Sequence, residues 1–425
     1  MNTTQTVIQG VELDRHLLQE IYSRDELEQT FPQRLTNLLK SLKKKPDLVL
    51  SAPGRTELGG NHTDHQNGRV LCAAVQKDSL AVVSRRDDSL IKLHSMNMNE
   101  TYDLDSRKLE RIAKEEHTSK ALIRGVLAGI VSRGGIVGGF DAVIHSTVDI
   151  GSGLSSSASF EVLIGAIVNE LYNDNSFSAP DLAKIGQFAE NVYFGKPCGL
   201  MDQMSSAVGG ILMIDFAEPE NIILHSVPYD FSNTDYILAL IDTGSSHHNL
   251  TPAYASVPQE MTRIAGALGV EKLQQVGKET FYSQMKSLKD QFGDRAVLRG
   301  IHFYSETERV ARMAQALDEN EFDTYLHLVG ESSASSKNIL QNTTPPMSNG
   351  RDQGLAFALG LSQIFFQEKG RGVSRVHGGG FAGAMQAYIH KNDLNEFKQT
   401  FSSVLGVDCV KELRLRSPGV CKLTC

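Results

Sequence analysis

No stretch of about 18 uninterrupted apolar residues occurs in this chain of 425 residues, so no membrane-spanning helix and no membrane partner are expected. The opening MNTTQTVIQG has neither a charged lead nor an apolar core and does not read as an export signal. Cysteine is scarce. Cys72, Cys198, Cys409, Cys421 and Cys425 are scattered without a C-x-x-C pair, which implies no disulfide framework and fits a reduced, cytoplasmic compartment. Positive charge is in deficit too: the formal net charge is −8, and Lys43-Lys44-Lys45, read as a solvated helix end, is the one notable basic run, which argues against nucleic acid as a partner. The run G-x-x-x-x-G-K-[ST] is missing, and Gly151-Ser-Gly153 follows G-x-G-x-x-G only as far as its second glycine. Neither a Walker-type NTPase nor a Rossmann dehydrogenase is therefore supported.

The chain does have enough apolar content, 40% against 22% charged residues, to build sizeable cores, and its length fits two domains, 1–215 and 216–425. Residues 1 to about 46 read as a helical lead-in carrying Leu17, Leu18, Ile21, Leu35, Leu38 and Leu39. Residues 47–52 are a β-branched, apolar strand that Pro53-Gly54 ends, and 79–84, 91–95 and 101–104 are short strands parted by Asp/Asn turns, predicting an antiparallel sheet. Residues 119–131, 157–171 and 179–194 read as helices, and 236–241 opens the second half as a buried strand. The polar 343–350 stretch, with Pro345-Pro346, reads as a surface loop. Runs of strands mixed with runs of helices give the α+β class.

The densest polar segment is Ser51 to Val70, SAPGRTELGGNHTDHQNGRV, where Arg55, Asn61, His62, Asp64 and His65 crowd among Gly54, Gly59, Gly60 and Gly68. The cluster is predicted on a loop at a strand end, where a rigid sheet usually presents ligand groups. A hydroxyl-rich ligand needs acceptors such as Asp64, donors and acceptors such as Asn61 and His62, and backbone that can approach closely, which glycine permits. The same composition also describes a solvated turn. His62, His65 and Asp64 can be read as a metal site, but no third ligand motif with zinc-like spacing accompanies them.

A second motif, Gly151-Ser-Gly-Leu-Ser-Ser-Ser-Ala-Ser159, stands between the strand-like residues 140–145 and the helical pattern 160–171. A glycine turn feeding a helix N-terminus offers unpaired N–H groups and the positive end of the helix dipole, which cradle phosphate. Gly151, Gly153, Leu154, Ser155, Ser156, Ser157, Ala158 and Ser159 are thus candidates for nucleotide binding, the serine hydroxyls serving phosphate or Mg²⁺. A flexible Ser/Gly linker is the plain alternative. A third motif, Arg375-Val-His-Gly-Gly-Gly-Phe-Ala-Gly383, precedes the alternating residues 384–389, and by itself reads as a tight backbone turn.

APGRTELGGNHTDHQNG resembles the galactokinase signature, and the second and third motifs follow in the order found in the GHMP small-molecule kinases. The resemblance implies a two-domain α+β fold, an N-terminal domain like the second domain of ribosomal protein S5 and a ferredoxin-like C-terminal domain, with the active site in the interdomain cleft. It implies ATP-dependent phosphorylation of the anomeric C1 hydroxyl of galactose or a closely related sugar, with ATP and Mg²⁺ and a monomeric chain. Residues 189–204, AENVYFGKPCGLMDQM, resemble the family's helix and Met-Asp-Gln run; Glu190 lies on a predicted helix and Asp202 beyond the Gly195/Pro197/Gly199 break, so the turn can bring both carboxylates toward one cleft. The resemblance carries over Glu190 as a Mg²⁺ ligand, with the hydroxyl of Ser157 or its neighbour Ser156, and Asp202 as the catalytic aspartate, with Arg55 stabilising developing charge. His62, Asp64, Gly199 and Tyr254 match positions that contact sugar hydroxyls, although the run His247-His-Asn-Leu-Thr-Pro-Ala-Tyr254 departs slightly from the family's spacing.

Three departures stand out. Asn61 replaces the glutamate that faces the sugar's C6 hydroxyl, Glu331-Ser-Ser-Ala lacks the family's histidine, and Ala382 replaces a family glycine. The phosphoryl-transfer set is untouched, so the first two changes bear on which sugar is bound, while Ala382 narrows backbone freedom without removing a charged group. Galactose ranks first; galacturonate ranks second, because asparagine removes a like charge beside a uronic acid. A kinase for N-acetylgalactosamine or L-arabinose on the same scaffold is a further reading. A non-catalytic sugar and ATP sensor would need a degraded phosphate loop, and Ser155-Ser-Ser-Ala-Ser159 is intact.

Overall fold

The computed structural model of the chain describes residues 5–149, 151, 153–245, 250–346 and 350–425. Ser152 of the glycine-serine motif, His247, His248 and Asn249 ahead of Tyr254, and Met347 to Asn349 of the proline loop lie outside the described residues. The lead-in is not helical from the start: β1 (Gln5–Ile8) and β2 (Val11–Asp14) form a hairpin. Its turn residues Gln9 and Gly10 both have positive φ, as a two-residue hairpin turn that matches strand twist requires. Helix begins at α1 (Arg15–Ile21), capped by Asp14, whose carboxylate accepts from Leu17 N–H at 3.0 Å. In α2 (Phe31–Leu42) the inward residues Phe31, Leu35, Leu38 and Leu42 keep helical spacing, and Lys43 ends it in the left-handed conformation.

Next come β3 (Leu48–Gly59), β4 (Arg69–Arg85), β5 (Leu90–Ser95) and β6 (Glu100–Asp105), then α3 (Ser119–Val131), β7 (Phe140–Ser146), α4 (Ser156–Tyr172), α5 (Ala179–Phe188) and α6 (Met201–Val208). After them follow β8 (Ile211–Asp215), β9 (Ile223–Val227), β10 (Tyr236–Ser245), α7 (Thr251–Ala267), α8 (Lys278–Phe292), α9 (Asp294–Asp318) and α10 (Phe322–Ser335). The chain closes with α11 (Gly354–Lys369), β11 (Val373–Val376), β12 (Gly383–His390), α12 (Leu394–Leu405), β13 (Val410–Leu413) and β14 (Cys421–Lys422). Two compact units result. One comprises the chain up to Arg55, Ala74–Gly210 and Leu415–Cys425; the other comprises Thr56–Ala73 and Ile211–Arg414. A single division near residue 215 is thus joined by divisions inside β3 and β4, which each give residues to both units, and by the return of the C-terminal tail.

In the first unit the strand order is β14-β3-β4-β7-β5-β6. The pair β5/β6 is antiparallel as predicted, but β4 does not pair with β5: β7 stands between them, antiparallel to β4 and parallel to β5, because β6 and α3 carry the chain back before β7 begins. Successive residues alternate between faces: Leu50, Ala52, Ala81 and Val83 join α3, α4 and α5 in one core, whereas Val49, Leu80 and Val82 join α1 and α2 in another. The second unit holds an antiparallel sheet, β11-β12-β10-β13, covered by α11 and α12, and a separate core among α7, α8 and α9. Among the described residues no helix is long and apolar enough to cross a membrane.

β3 does not stop at Pro53-Gly54. It continues through Arg55, whose N–H donates to Leu154 O at 3.0 Å, so the glycine-serine loop takes the place of a neighbouring strand. A Cβ on Gly54 would lie 2.8 Å from that carbonyl, which makes glycine a requirement of this close approach. β3 is itself anchored by a buried ionic cluster: Asp78 accepts from Tyr22, from Ser51 on β3 and, at 2.8 Å, from Arg34, while Arg416 Nη1 lies 3.9 Å away and donates to Ser51 at 2.7 Å. Burial pushes the Asp78 carboxyl up, and Arg34 and Arg416 pull it further down, below its ordinary 3.8. Its contribution to stability is accordingly present above that pH and is lost as pH falls through the folded value. Arg416→Leu should cost about 3 kcal/mol or more in urea unfolding, because a buried carboxylate loses a partner. Unchanged stability would show the cluster to be dispensable.

Candidate active site

Arg55 and Asp202 meet inside the first unit. Asp202 opens the first turn of α6, where the helix dipole favours a carboxylate, and Arg55 Nε and Nη2 reach its two oxygens at 2.7 and 2.9 Å. Arg55 Nη1 also donates to Gly153 O at 2.5 Å, and the Ser155 hydroxyl donates to Asp202 Oδ2. The surrounding protein pushes the Asp202 pKa up, but the Arg55 guanidinium, aided by Ser155 and Lys196, holds it below the usual carboxylate value. Asp202 is thus ionised and, with its side chain a third exposed, remains reachable.

The glycine-serine motif forms the turn into α4. Gly151 and Gly153 have positive φ, as does Ser155, at +59°, an uncommon conformation for a residue with a Cβ and one that gathers at functional sites. No side chain among the described residues caps the helix start, which leaves first-turn N–H groups for an anion. Part of the predicted nucleotide set turns inward: Leu154 and Ala158 are buried, and the Ser159 hydroxyl is engaged with Ala52 O and Ser79 at 2.8 and 2.9 Å.

Glu190 sits in a π-helical turn, Ala189–Phe194, that continues α5, so the predicted helix 179–194 changes pitch at the candidate ligand. Its Oε1 lies 3.3 Å from the Ser157 hydroxyl and 3.0 Å from Lys196 Nζ. Its Oε2 accepts from Gln203 Nε2 at 2.9 Å, and the same amide donates to Glu161 at 3.0 Å. Ser157 rather than Ser156 therefore faces Glu190. A carboxylate and a hydroxyl this close, with no thiolate between them, are hard oxygen donors that fit Mg²⁺, leaving its other positions to water and phosphate. Glu161, Gln203 and Lys196 are not among the residues singled out from sequence. Burial, and then the neighbouring Glu190 charge, push the Glu161 carboxyl well above its ordinary pKa. Gly199 lies in the half-buried segment just before α6. Among the described residues no group of three or more His, Cys, Asp or Glu side chains gathers to hold a metal ion, so His62, His65 and Asp64 do not assemble the zinc-like alternative.

The sugar-signature residues belong to the second unit. Gly60 is needed there, since a Cβ would lie 2.6 Å from Arg69 O at a φ of +92°. His62 follows, itself left-handed, and Asp64 opens a short 3₁₀ turn with its carboxylate accepting from His65 N–H. The three consecutive glycine carbonyls of the third motif are each held by a different predicted sugar residue: Asn61 Nδ2 donates to Gly378 O at 2.5 Å, His62 Nε2 to Gly379 O at 2.9 Å and the Tyr254 hydroxyl to Gly380 O at 2.8 Å. Burial, then repulsion from His65, lowers the His62 pKa to about 3, so the ring is neutral; with Nε2 donating, Nδ1 is an acceptor, buried and without a partner among the described residues. Burial pushes the Tyr254 phenol up to about 12, keeping it a donor. Beside the substituted Ala382, it is Phe381 that takes positive φ, its N–H held by Asn342 O.

Asn61 is occupied at both ends. Its amide nitrogen also lies 3.2 Å from Glu57 Oε1, and its oxygen accepts from Asn342 at 2.6 Å. Glu57 is buried and paired with Arg375 at 2.8 Å, so a carboxylate stays next to position 61 even though that residue is uncharged. Gly60 N–H is anchored by Glu306, Asn61 O accepts from His302, and Glu331 is turned to Arg309. Asn61→Asp would replace two donated bonds by repulsion from Glu57 and should cost about 3 kcal/mol in thermal or urea unfolding. Adding Glu57→Gln to that variant should recover part of the loss. Wild-type stability in the single variant would contradict the arrangement.

Comparison with known proteins bears on the same segments. The family profile for the galactokinase galactose-binding signature matches residues 40–85, and that for the GHMP kinases N terminal domain matches residues 121–210. A galactokinase of Glaesserella parasuis serovar 5 (strain SH0165) is 33% identical over 338 residues, covering 79% of this chain and 83% of the relative. A galactokinase of Streptomyces coelicolor is 30% identical, with 80% and 84% covered. Among solved structures, Lactococcus lactis galactokinase complexed with galactose superposes with a TM-score of 0.77 at 22% identity, over 92% of this chain and 99% of that one. A mevalonate kinase structure superposes more loosely, with a TM-score of 0.57 at 15% identity over 87% of this chain and all of that one. The fold is therefore the two-domain α+β fold of the GHMP kinases, and the chain belongs to the galactokinase family.

Proposed function

We propose that this protein transfers the γ-phosphoryl group of ATP to the anomeric C1 hydroxyl of galactose, giving galactose 1-phosphate and ADP. The observation that carries the chemistry is the bidentate Arg55–Asp202 pair set against the turn into α4. Asp202 orients the C1 hydroxyl and accepts its proton. A carboxylate held below its ordinary pKa is a weak base, which suits a loose phosphoryl-transfer transition state in which the hydroxyl proton leaves late. General-base help contributes about 10²–10⁴ in rate, so positioning by the turn amides and charge neutralisation by Arg55 must supply much of the remainder. Glu190 and Ser157 would hold Mg²⁺, which would supply charge neutralisation at the phosphate.

For the sugar, Asp64 offers a partly exposed acceptor and His62 Nδ1 a buried one, while Asn61 and Tyr254 serve by fixing the glycine carbonyls; Gly199, just before α6, is assigned to the sugar on the family resemblance alone. The uronic-acid reading loses support, because Glu57 keeps a carboxylate 3.2 Å from Asn61. Nothing in the reaction calls for a second subunit, and the chain is proposed to act as a monomer. In a panel of galactose, galacturonate, N-acetylgalactosamine and L-arabinose with Mg-ATP, ADP release should be fastest with galactose. A preference for another sugar overturns the substrate, and no release with any of them overturns the reaction.

Asp202→Asn should lower kcat by about 100-fold or more while leaving Mg-ATP binding nearly unchanged. Arg55→Met should share much of that loss, and the double variant should be far from additive, because both residues act on one developing charge. The wild-type acid limb of kcat/KM from Asp202 lies below pH 3.8, since its folded pKa is lowered. In Arg55→Met burial loses the largest of the influences that oppose it, so that limb should move to higher pH; an unmoved limb would separate the two residues.

A further inference from the structure

The two oxygens of Glu190 have different tasks. Oε2 is turned to Gln203, whose amide is itself shared with Glu161, while Oε1 faces Ser157 and Lys196. The carboxylate side chain is 3% exposed and that of Lys196 60%, so the lysine reaches in from solvent to a buried charge. Its starting point is fixed: Gly195 ends the π-helical turn with φ +84°, and the Lys196 N–H donates to Glu190 O at 3.1 Å. A buried carboxylate needs a counter-charge, and the neutral amide and hydroxyl beside it supply none.

We infer that Lys196 is a built-in counter-cation that occupies Glu190 Oε1 until a divalent cation takes its place. This rests on reading Glu190 and Ser157 as Mg²⁺ ligands. The two cations exclude each other: an ammonium hydrogen-bonded at 3.0 Å and a Mg²⁺ coordinated at about 2.1 Å on one oxygen would stand close enough for strong like-charge repulsion. The exposed lysine can swing back into water at small cost, whereas an arginine fork would release the carboxylate less readily. Metal binding is then an exchange, and the resting site never holds an uncompensated charge.

The test is a titration with Mn²⁺ alone, read by the loss of its free electron paramagnetic resonance signal, on the full chain. Lys196→Met should bind Mn²⁺ about two- to fivefold more tightly than wild type, the range expected when a largely exposed partner is removed. Lys196→Arg should bind no more tightly than wild type, and Glu190→Gln should bind distinctly less. Equal or weaker binding by Lys196→Met, with Glu190→Gln still impaired, overturns the exchange but leaves the metal ligand standing. Wild-type binding by Glu190→Gln overturns the metal reading itself, as does the absence of binding in every variant.

Discussion

The Arg55 guanidinium is the contact on which the candidate site of the first unit depends. One face grips both oxygens of Asp202, one nitrogen grips the Gly153 carbonyl, and the residue's own backbone N–H grips Leu154. A single side chain thus fixes the distance between a carboxylate on α6 and the turn that starts α4. A bidentate arginine is suited to this, since its planar fork loses little freedom per bond formed. The strand that presents it is held in turn by the cluster around Asp78, which joins the lead-in, β3 and the C-terminal tail. Electrostatics and loop geometry are here one constraint: the charge that keeps Asp202 ionised also shapes the turn into α4.

The second unit solves a different problem, holding a glycine run in one conformation. Three adjacent carbonyls are taken by Asn61, His62 and Tyr254, and the neutral state of His62 makes its role definite, Nε2 donating and Nδ1 accepting. Beneath them Glu57 and Arg375 form a buried ion pair. Such pairs add little net stability when geometry is good but are costly to break, so they resist rearrangement. The left-handed residues His62, Ser155 and Phe381 lie in the three motifs, where close contacts on all sides sustain a conformation that side chains otherwise avoid.

The motifs were the legible part of the sequence. Glycine-rich turns before α4 and β12, and an acid on each side of the Gly195 break, announce local geometry through residue type, whereas the association of Arg55 with Asp202 and of a serine with Glu190 came from the family resemblance; the structure has Arg55 on Asp202 and Ser157 beside Glu190. Partners distant along the chain were not legible. Glu161 looks like one acid in an apolar helix, Gln203 like a bystander of Asp202 and Lys196 like a surface lysine; only folding makes them a cluster. Turn residues misled at Pro53-Gly54, because a strand can continue where a loop supplies its acceptor, and helical spacing in the lead-in concealed the Gln9-Gly10 hairpin turn. The parallel pairing of β5 with β7 depends on the crossover through α3, which short-range patterns do not encode. Asn61 read as a ligand group because it stands in a ligand motif, yet its amide closes an internal network.

Hydrogen exchange of the backbone amides from Gly153 to Ser157 tests the central role of Arg55 most directly, since it needs neither substrate nor turnover. With the guanidinium holding the turn, Arg55→Met should speed exchange of these amides by about tenfold or more while the core of α4, from Val162 to Val168, stays protected, and Asp202→Asn should have a smaller effect because the Gly153 contact survives. Unchanged exchange at the turn in Arg55→Met would contradict it.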